Sequence, residues 1–180
     1  MKRQSKRDRL KERIVKMRDI HEQRRLRDLY GGRYIESINS IMGKSLSLDD
    51  FNNNFVAPLS LNWARNLADS EGLVVAYIGK IDAIKILNCI RDVLCVFNGM
   101  IGFHEKSYLG FAHLDQIDPL LLLKVAEFTN DSVVFYNNSP EGVIMVDCYL
   151  SQPGEPFSII VQGDRLISDL RGCFVSQRGT

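Results

Sequence analysis

Hydrophobic and polar residues repeat with two different periods along this chain, and these periods predict its helices and strands. From residue 5 to residue 29 there is no Gly or Pro, and apolar residues recur at the spacing of one helix face. The resulting narrow stripe consists of Leu10, Ile14, Met17 and His21. We predict one helix here, ended by Gly31 and Gly32, and a second, short helix over residues 34–43.

The middle of the chain alternates apolar runs with turn residues, which is typical of mixed helices and strands. The expected elements are a helix over 61–68 that contains Trp63 as a core residue, a strand over 73–78, a helix over 80–97, strands over 100–103 and 108–112, and a helix over 119–128. The 80–97 helix is apolar around most of its circumference, so we expect it to be buried on more than one side.

The last third reads as three strands, over 132–136, 143–149 and 157–161, followed by a helix over 164–170. The links between these strands are too short for crossover helices, so the strands form an antiparallel meander. The fold class is therefore α+β: a mainly antiparallel sheet with packed helices, preceded by a basic amphipathic N-terminal helix. We divide the chain into a basic arm (1–33) and a single domain (34–180), in which 34–72 form a helical layer and 73–180 hold the sheet.

Charge is strongly polarised along the chain. The 180 residues carry a formal net charge of +1. Residues 1–33 hold thirteen Lys or Arg and five Asp or Glu, a balance of +8, which leaves −7 on the remainder. A basic segment on an acidic body is typical of proteins that contact nucleic acid, an acidic partner or a membrane surface.

The basic arm has three interpretations. It contacts the phosphates of a nucleic acid or an acidic protein, or it docks by its stripe against the body or a second copy in a homodimer, or it lies on an anionic membrane. The membrane is the least favoured, because the stripe lacks Trp and Phe. The predicted phosphate contacts are Arg7, Arg9, Lys11, Arg13, Lys16, Arg18, Arg24, Arg25 and Arg27.

The acidic body suggests a protein-binding surface. Our leading hypothesis is a non-enzymatic binding protein, and the alternative is an immunity or antitoxin protein that neutralises a basic toxin. The candidate anchors are Asp115, Asp118, Asp131, Glu141, Asp147 and Glu155. Asp147 interrupts an apolar run, and we expect it to mark the more exposed face of its strand.

Catalytic chemistry has weak support in the sequence. A small hydrolase that uses His104, Glu105 and His113 is the third hypothesis, and we expect no cofactor and no metal site. Cys89, Cys95, Cys148 and Cys173 lie in apolar contexts without metal-site spacing, so we predict reduced, buried thiols. With no apolar run long enough to span a bilayer and no export signal at the N-terminus, we expect a cytoplasmic protein.

Overall fold

The structure, a computed structural model, describes residues 6–52, 73–94, 97–103, 107–148, 154 and 156–175. At 6–9, 73–76, 107 and 175 it describes the backbone without the side chain. Several predictions lie outside the described residues: the helix over 61–68 with Trp63, the pair His104 and Glu105, and the residues Cys95 and Glu155.

The described elements form a seven-stranded sheet with four helices, which confirms the α+β fold with an N-terminal helix. The helices are α1 (Lys6–Met42), α2 (Lys80–Val93), α3 (Pro119–Thr129) and α4 (Asp164–Val175). The strands are β1 (Phe51–Asn52), β2 (Leu73–Ile78), β3 (Gly99–Phe103), β4 (Phe111–Leu114), β5 (Val133–Asn138), β6 (Glu141–Cys148) and β7 (Phe157–Gln162). The sheet order is β1-β4-β3-β5-β6-β7-β2, and each pair of neighbours is antiparallel.

The predicted meander is confirmed and sets the two faces of the sheet. Val146 in β6 pairs with Val133 in β5 and with Ile159 in β7. Alternate residues therefore face opposite ways. Ile144 and Val146 belong to the larger core cluster, which includes residues from all four helices. The opposite face carries a smaller cluster of Val134, Tyr136, Val143, Met145 and Ile160.

Asp147 corrects one expectation about this sheet. Its side chain shares the strand face of Val143 and Met145, as alternation predicts, but it is only 4% exposed. Its pairing partner, Ser158 in β7, is also buried. The expectation of an exposed face was wrong because both faces of the sheet are buried at this point.

The first helix does not end at Gly31 and Gly32 as predicted; α1 continues through both residues to Met42. A β-carbon at Gly31 would lie 2.7 Å from Cδ2 of Leu48 and 3.1 Å from Cδ2 of Leu109, so glycine here permits a close approach between α1 and the body. Tertiary packing therefore outweighs the low helix propensity of glycine. The helix crosses the predicted boundary between residues 33 and 34 without a break.

The other three helices begin at the residues that the sequence predicts. Asp118 caps α3 by accepting a hydrogen bond from the backbone N–H of Leu120 at 3.0 Å, with Pro119 in the first turn as predicted. Helix α2 ends at Val93, four residues earlier than expected. It is also buried along one side rather than several, because Ile81 is 72% exposed while Ile86 and Ile90 are buried.

The cysteines give a second correction. Cys89 in α2 and Cys173 in α4 form a disulfide, with their Cα atoms 5.5 Å apart. The prediction of reduced thiols was wrong for this pair, because packing of α2 against α4 brings together two residues that are 84 positions apart. Cys148 is a buried free thiol, as expected. Among the described residues, none of the helices combines the length and the apolar composition that crossing a membrane requires.

Candidate nucleic-acid interface

Helix α1 has two halves with different environments. Its C-terminal half packs on the body through Tyr34, Ile35, Ile38 and Met42, all buried. The side chains of residues 10–25, which we call the projecting segment, are exposed apart from a half-buried Ile20. A helix rises 1.5 Å per residue, so the projecting segment is about 24 Å long.

The apolar stripe does not dock on the body. Leu10, Ile14 and Met17 remain 59%, 48% and 55% exposed. In the described residues, the stripe therefore does not pack against the body of its own chain. The stripe is left available to a partner from outside the chain.

The direction of α1 separates the two charged regions. Near its end, the Nζ of Lys44 donates to the carbonyl of Asp115 at 3.1 Å, whereas Gly31 lies against Leu109 at the opposite end of β4. The projecting segment therefore leaves the body at the end of the sheet away from Asp115. That acidic region is therefore not positioned to neutralise the basic side chains of the projecting segment.

Two of the predicted phosphate contacts are engaged within the chain. The guanidinium of Arg27 donates to the backbone carbonyls of Leu48 and Phe51, the latter at 2.9 Å. Arg27 thus anchors α1 to the body. Arg25 forms a 2.8 Å ion pair with Glu22 one turn earlier, and the hydrogen bond from Arg25 lowers the pKa of the Glu22 carboxyl.

The remaining predicted contacts with described side chains are exposed to solvent. Five of them have exposed side chains on the projecting segment: Lys11, Arg13, Lys16, Arg18 and Arg24. Arg7 and Arg9 lie on the same helix, but their side chains are outside the described residues. These five exposed basic side chains are spread along one helix over residues 11–24.

The acidic candidates do not form a single surface. Asp115, Asp118 and Glu141 lie at the end of the sheet where Gly99 pairs with Leu114. Asp131 and Asp147 lie at the other end, and each is 4% exposed. Among the acidic candidates that the structure describes, only the first three have side chains that a protein partner could reach from solvent.

A cavity of about 440 Å³ opens near the first of these ends. Its lining consists of Arg91, Leu94, Phe97, Gln116, Ile117, Asp118 and Pro119. Arg91 Nη1 lies 3.8 Å from Asp118 Oδ2 across it. The sequence carried no signal for this cavity, because its walls come from the end of α2 and from the link between β4 and α3.

The hydrolase hypothesis gains no support from the described residues. His113 lies 3.7 Å from Asp115 by Nδ1 and Oδ1, and both side chains are largely exposed. Within the described ranges, no three His, Cys, Asp or Glu residues come together as metal ligands could. Burial raises the pKa of the Cys148 thiol, and Glu127 adds to the effect, so the neutral thiol is favoured over the nucleophilic thiolate.

Comparison with known proteins finds no relative: no protein-family model, no curated protein and no solved structure matches this chain.

Proposed function

We propose that this chain is a non-enzymatic nucleic-acid-binding protein whose projecting segment contacts phosphates. The observation that carries the proposal is the exposure of Lys11, Arg13, Lys16, Arg18 and Arg24 on one helix that stands clear of the body. Lys and Arg side chains that neutralise phosphates release condensed counterions, which supplies affinity without sequence choice.

The lack of packing around the projecting segment also supports the proposal that it binds a partner. An isolated helix of this length is marginally stable in water, because most helices in proteins depend on tertiary packing. The projecting segment lacks such packing over residues 10–25 apart from Ile20. A bound polyanion would stabilise the helix by relieving repulsion among its basic side chains.

The test uses the full chain, since a truncation at residue 34 would also remove the Arg27 and Gly31 contacts. Arg13→Gln, Lys16→Gln and Arg18→Gln are combined and titrated by fluorescence anisotropy against short DNA and RNA over a range of salt. We expect the slope of log affinity against log salt to fall by about 2 to 3, since each lost phosphate contact removes about 0.9.

The matched control removes three exposed charges from the body instead: Lys124→Gln, Arg165→Gln and Arg171→Gln. It has the same net charge as the first variant and should bind as the wild-type protein does. Equal losses in both variants, or no binding by the wild-type protein at low salt, would contradict the proposal. The proposal also includes a cytoplasmic location, where the reducing environment would keep Cys89 and Cys173 as thiols and their disulfide would form on oxidation.

A second candidate is the neutralisation of a basic protein by the acidic end of the body. Three acidic side chains beside the cavity favour it: Asp92 and Asp115, which are about 70% exposed, and Asp118. Opposite charges on the two partners would speed their association. Replacing all three with Asn should slow association with a basic partner at low salt; an unchanged on-rate would remove this candidate.

A further inference from the structure

The continuity of α1 fixes which residues of the projecting segment share a face. Because the helix runs unbroken, each residue is turned about 100° from the one before. Leu10, Ile14, Met17 and His21 then lie within a sector of about 60°. This sector is the apolar stripe, exposed along its length.

Basic residues flank the stripe on both sides. Lys11, Arg18 and Arg25 lie about 50–90° from the middle of the stripe on one side, and Arg13, Lys16 and Arg24 about 50–130° from it on the other. We call these the first and second flanks. Basic side chains therefore lie on both sides of the apolar row.

Two of the three acidic residues of the projecting segment occupy the remaining side of the helix. Glu12 and Asp19 each lie about 170° from the middle of the stripe, whereas Glu22 lies about 110° from it beside the first flank, where it pairs with Arg25. The segment thus presents a basic and apolar side to one direction and an acidic side to the opposite direction. A partner of uniform negative charge would meet only the first side without repulsion.

We propose that the projecting segment binds in the major groove of duplex DNA, with the stripe toward the base edges and one flank toward the phosphates of each strand. This inference rests on the proposed function. The B-DNA major groove is about 12 Å wide and admits an α-helix. The basic side chains on each side of the apolar row match the two phosphate backbones that border the groove. Thymine methyl groups on the floor of the groove accept apolar contacts.

Other polyanions fit this arrangement less well. The major groove of A-form RNA is too deep and narrow for side chains to reach its floor, so the stripe would stay in solvent. An apolar sector of about 60° is narrower than the roughly 100° of an ordinary amphipathic face, which leaves little area to bury in a membrane. Pairing of two such segments would bring their basic flanks together, which is unfavourable.

The experiment compares full-length variants on four probes. These are a DNA duplex of about two turns (roughly 20 base pairs), an RNA duplex of the same sequence, the single-stranded DNA and vesicles of phosphatidylcholine with phosphatidylserine. One variant combines Lys11→Gln with Arg18→Gln and another combines Arg13→Gln with Lys16→Gln. A third combines Ile14→Gln with Met17→Gln, which changes no charge, and Arg165→Gln with Arg171→Gln serves as control.

Binding in the groove predicts a distinct result for each variant. Either flank variant should lower the salt slope on duplex DNA by about 2. The stripe variant should weaken duplex DNA binding about tenfold while leaving the salt slope unchanged, because it removes contacts to base edges only. The wild-type protein should bind the RNA duplex about tenfold more weakly than the DNA duplex.

The outcomes separate this inference from the proposed function. Equal affinity for all nucleic acids, an unaffected stripe variant, or dependence on one flank alone would overturn groove binding and leave phosphate contact standing. Binding to vesicles with none to nucleic acid would overturn both. A rise in helix content, by circular dichroism, on adding duplex DNA but not RNA would be a further supporting result.

Discussion

Cys89 and Cys173 join helices α2 and α4 through a disulfide that closes a loop of 84 residues. A cross-link over a long loop destabilises the unfolded chain by restricting its conformations. We expect reduction to lower the free energy of unfolding by about 2–4 kcal/mol. Urea denaturation with and without a thiol reductant measures the difference.

The double variant Cys89→Ser and Cys173→Ser should unfold at the same urea concentration with and without reductant. Cys148 is the internal control, because it is a buried free thiol. If Cys148→Ala retains the response to reductant and the double variant loses it, the Cys89–Cys173 bond is responsible. A wild-type protein that does not respond to reductant would contradict the prediction.

Arg27 should contribute to stability rather than to phosphate binding. Its guanidinium donates to the carbonyls of Leu48 and Phe51 in a partly buried position. Arg27→Gln would leave those acceptors without a charged donor, at a cost of about 1–3 kcal/mol in unfolding free energy. The control is Arg24→Gln on the exposed segment, which should change stability by less than about 0.5 kcal/mol. Equal stabilities for the two variants would show that the Arg27 contacts contribute nothing.

Regular periodicity predicted most of the fold. The β5–β7 meander was predicted because each strand is an apolar run bounded by turn residues, and short links leave no alternative to antiparallel pairing. The start of α3 was predicted because Asp118 and Pro119 are local signals. These features depend on neighbours in sequence, so they are visible without a structure.

Features that depend on distant contacts were missed. Gly31 and Gly32 led to the prediction of a helix end. Only the contact with Leu48 and Leu109 explains why α1 continues through them. The disulfide and the burial of Asp147 likewise come from packing between elements far apart in the chain. At the candidate interface, Arg27 was grouped with the phosphate contacts, because its role becomes visible only when α1 is known to continue onto the body.

Gly31 and Gly32 offer a matched pair for testing how α1 packs. A β-carbon at Gly32 would meet nothing within 4 Å, so Gly32→Ala should raise the unfolding free energy by about 0.5–1 kcal/mol through helix propensity alone. Gly31→Ala places its β-carbon against Leu48 and Leu109, which offsets that gain. Thermal denaturation of both variants should therefore rank Gly32→Ala as the more stable. Equal gains would indicate that α1 does not approach the body closely at Gly31.

Tyr136 makes the stability of the fold sensitive to alkaline pH. Burial on the sheet face opposite the helices raises the pKa of its hydroxyl to about 12. The unfolded chain releases this proton near its ordinary pKa of about 10. Between pH 10 and 12 the unfolded state therefore binds fewer protons than the folded state, so the free energy of unfolding falls as pH rises. Below pH 10 the contribution is fully present, and the loss across the window is about 2 kcal/mol.

Urea denaturation of wild-type protein and Tyr136→Phe at a series of pH values tests this difference. The phenylalanine variant cannot ionise there, so its stability should fall less steeply between pH 10 and 12. Tyr77→Phe is the control, because Tyr77 is 50% exposed, and it should follow the wild-type curve. Parallel curves for wild-type protein and Tyr136→Phe would mean that the buried hydroxyl does not control alkaline unfolding.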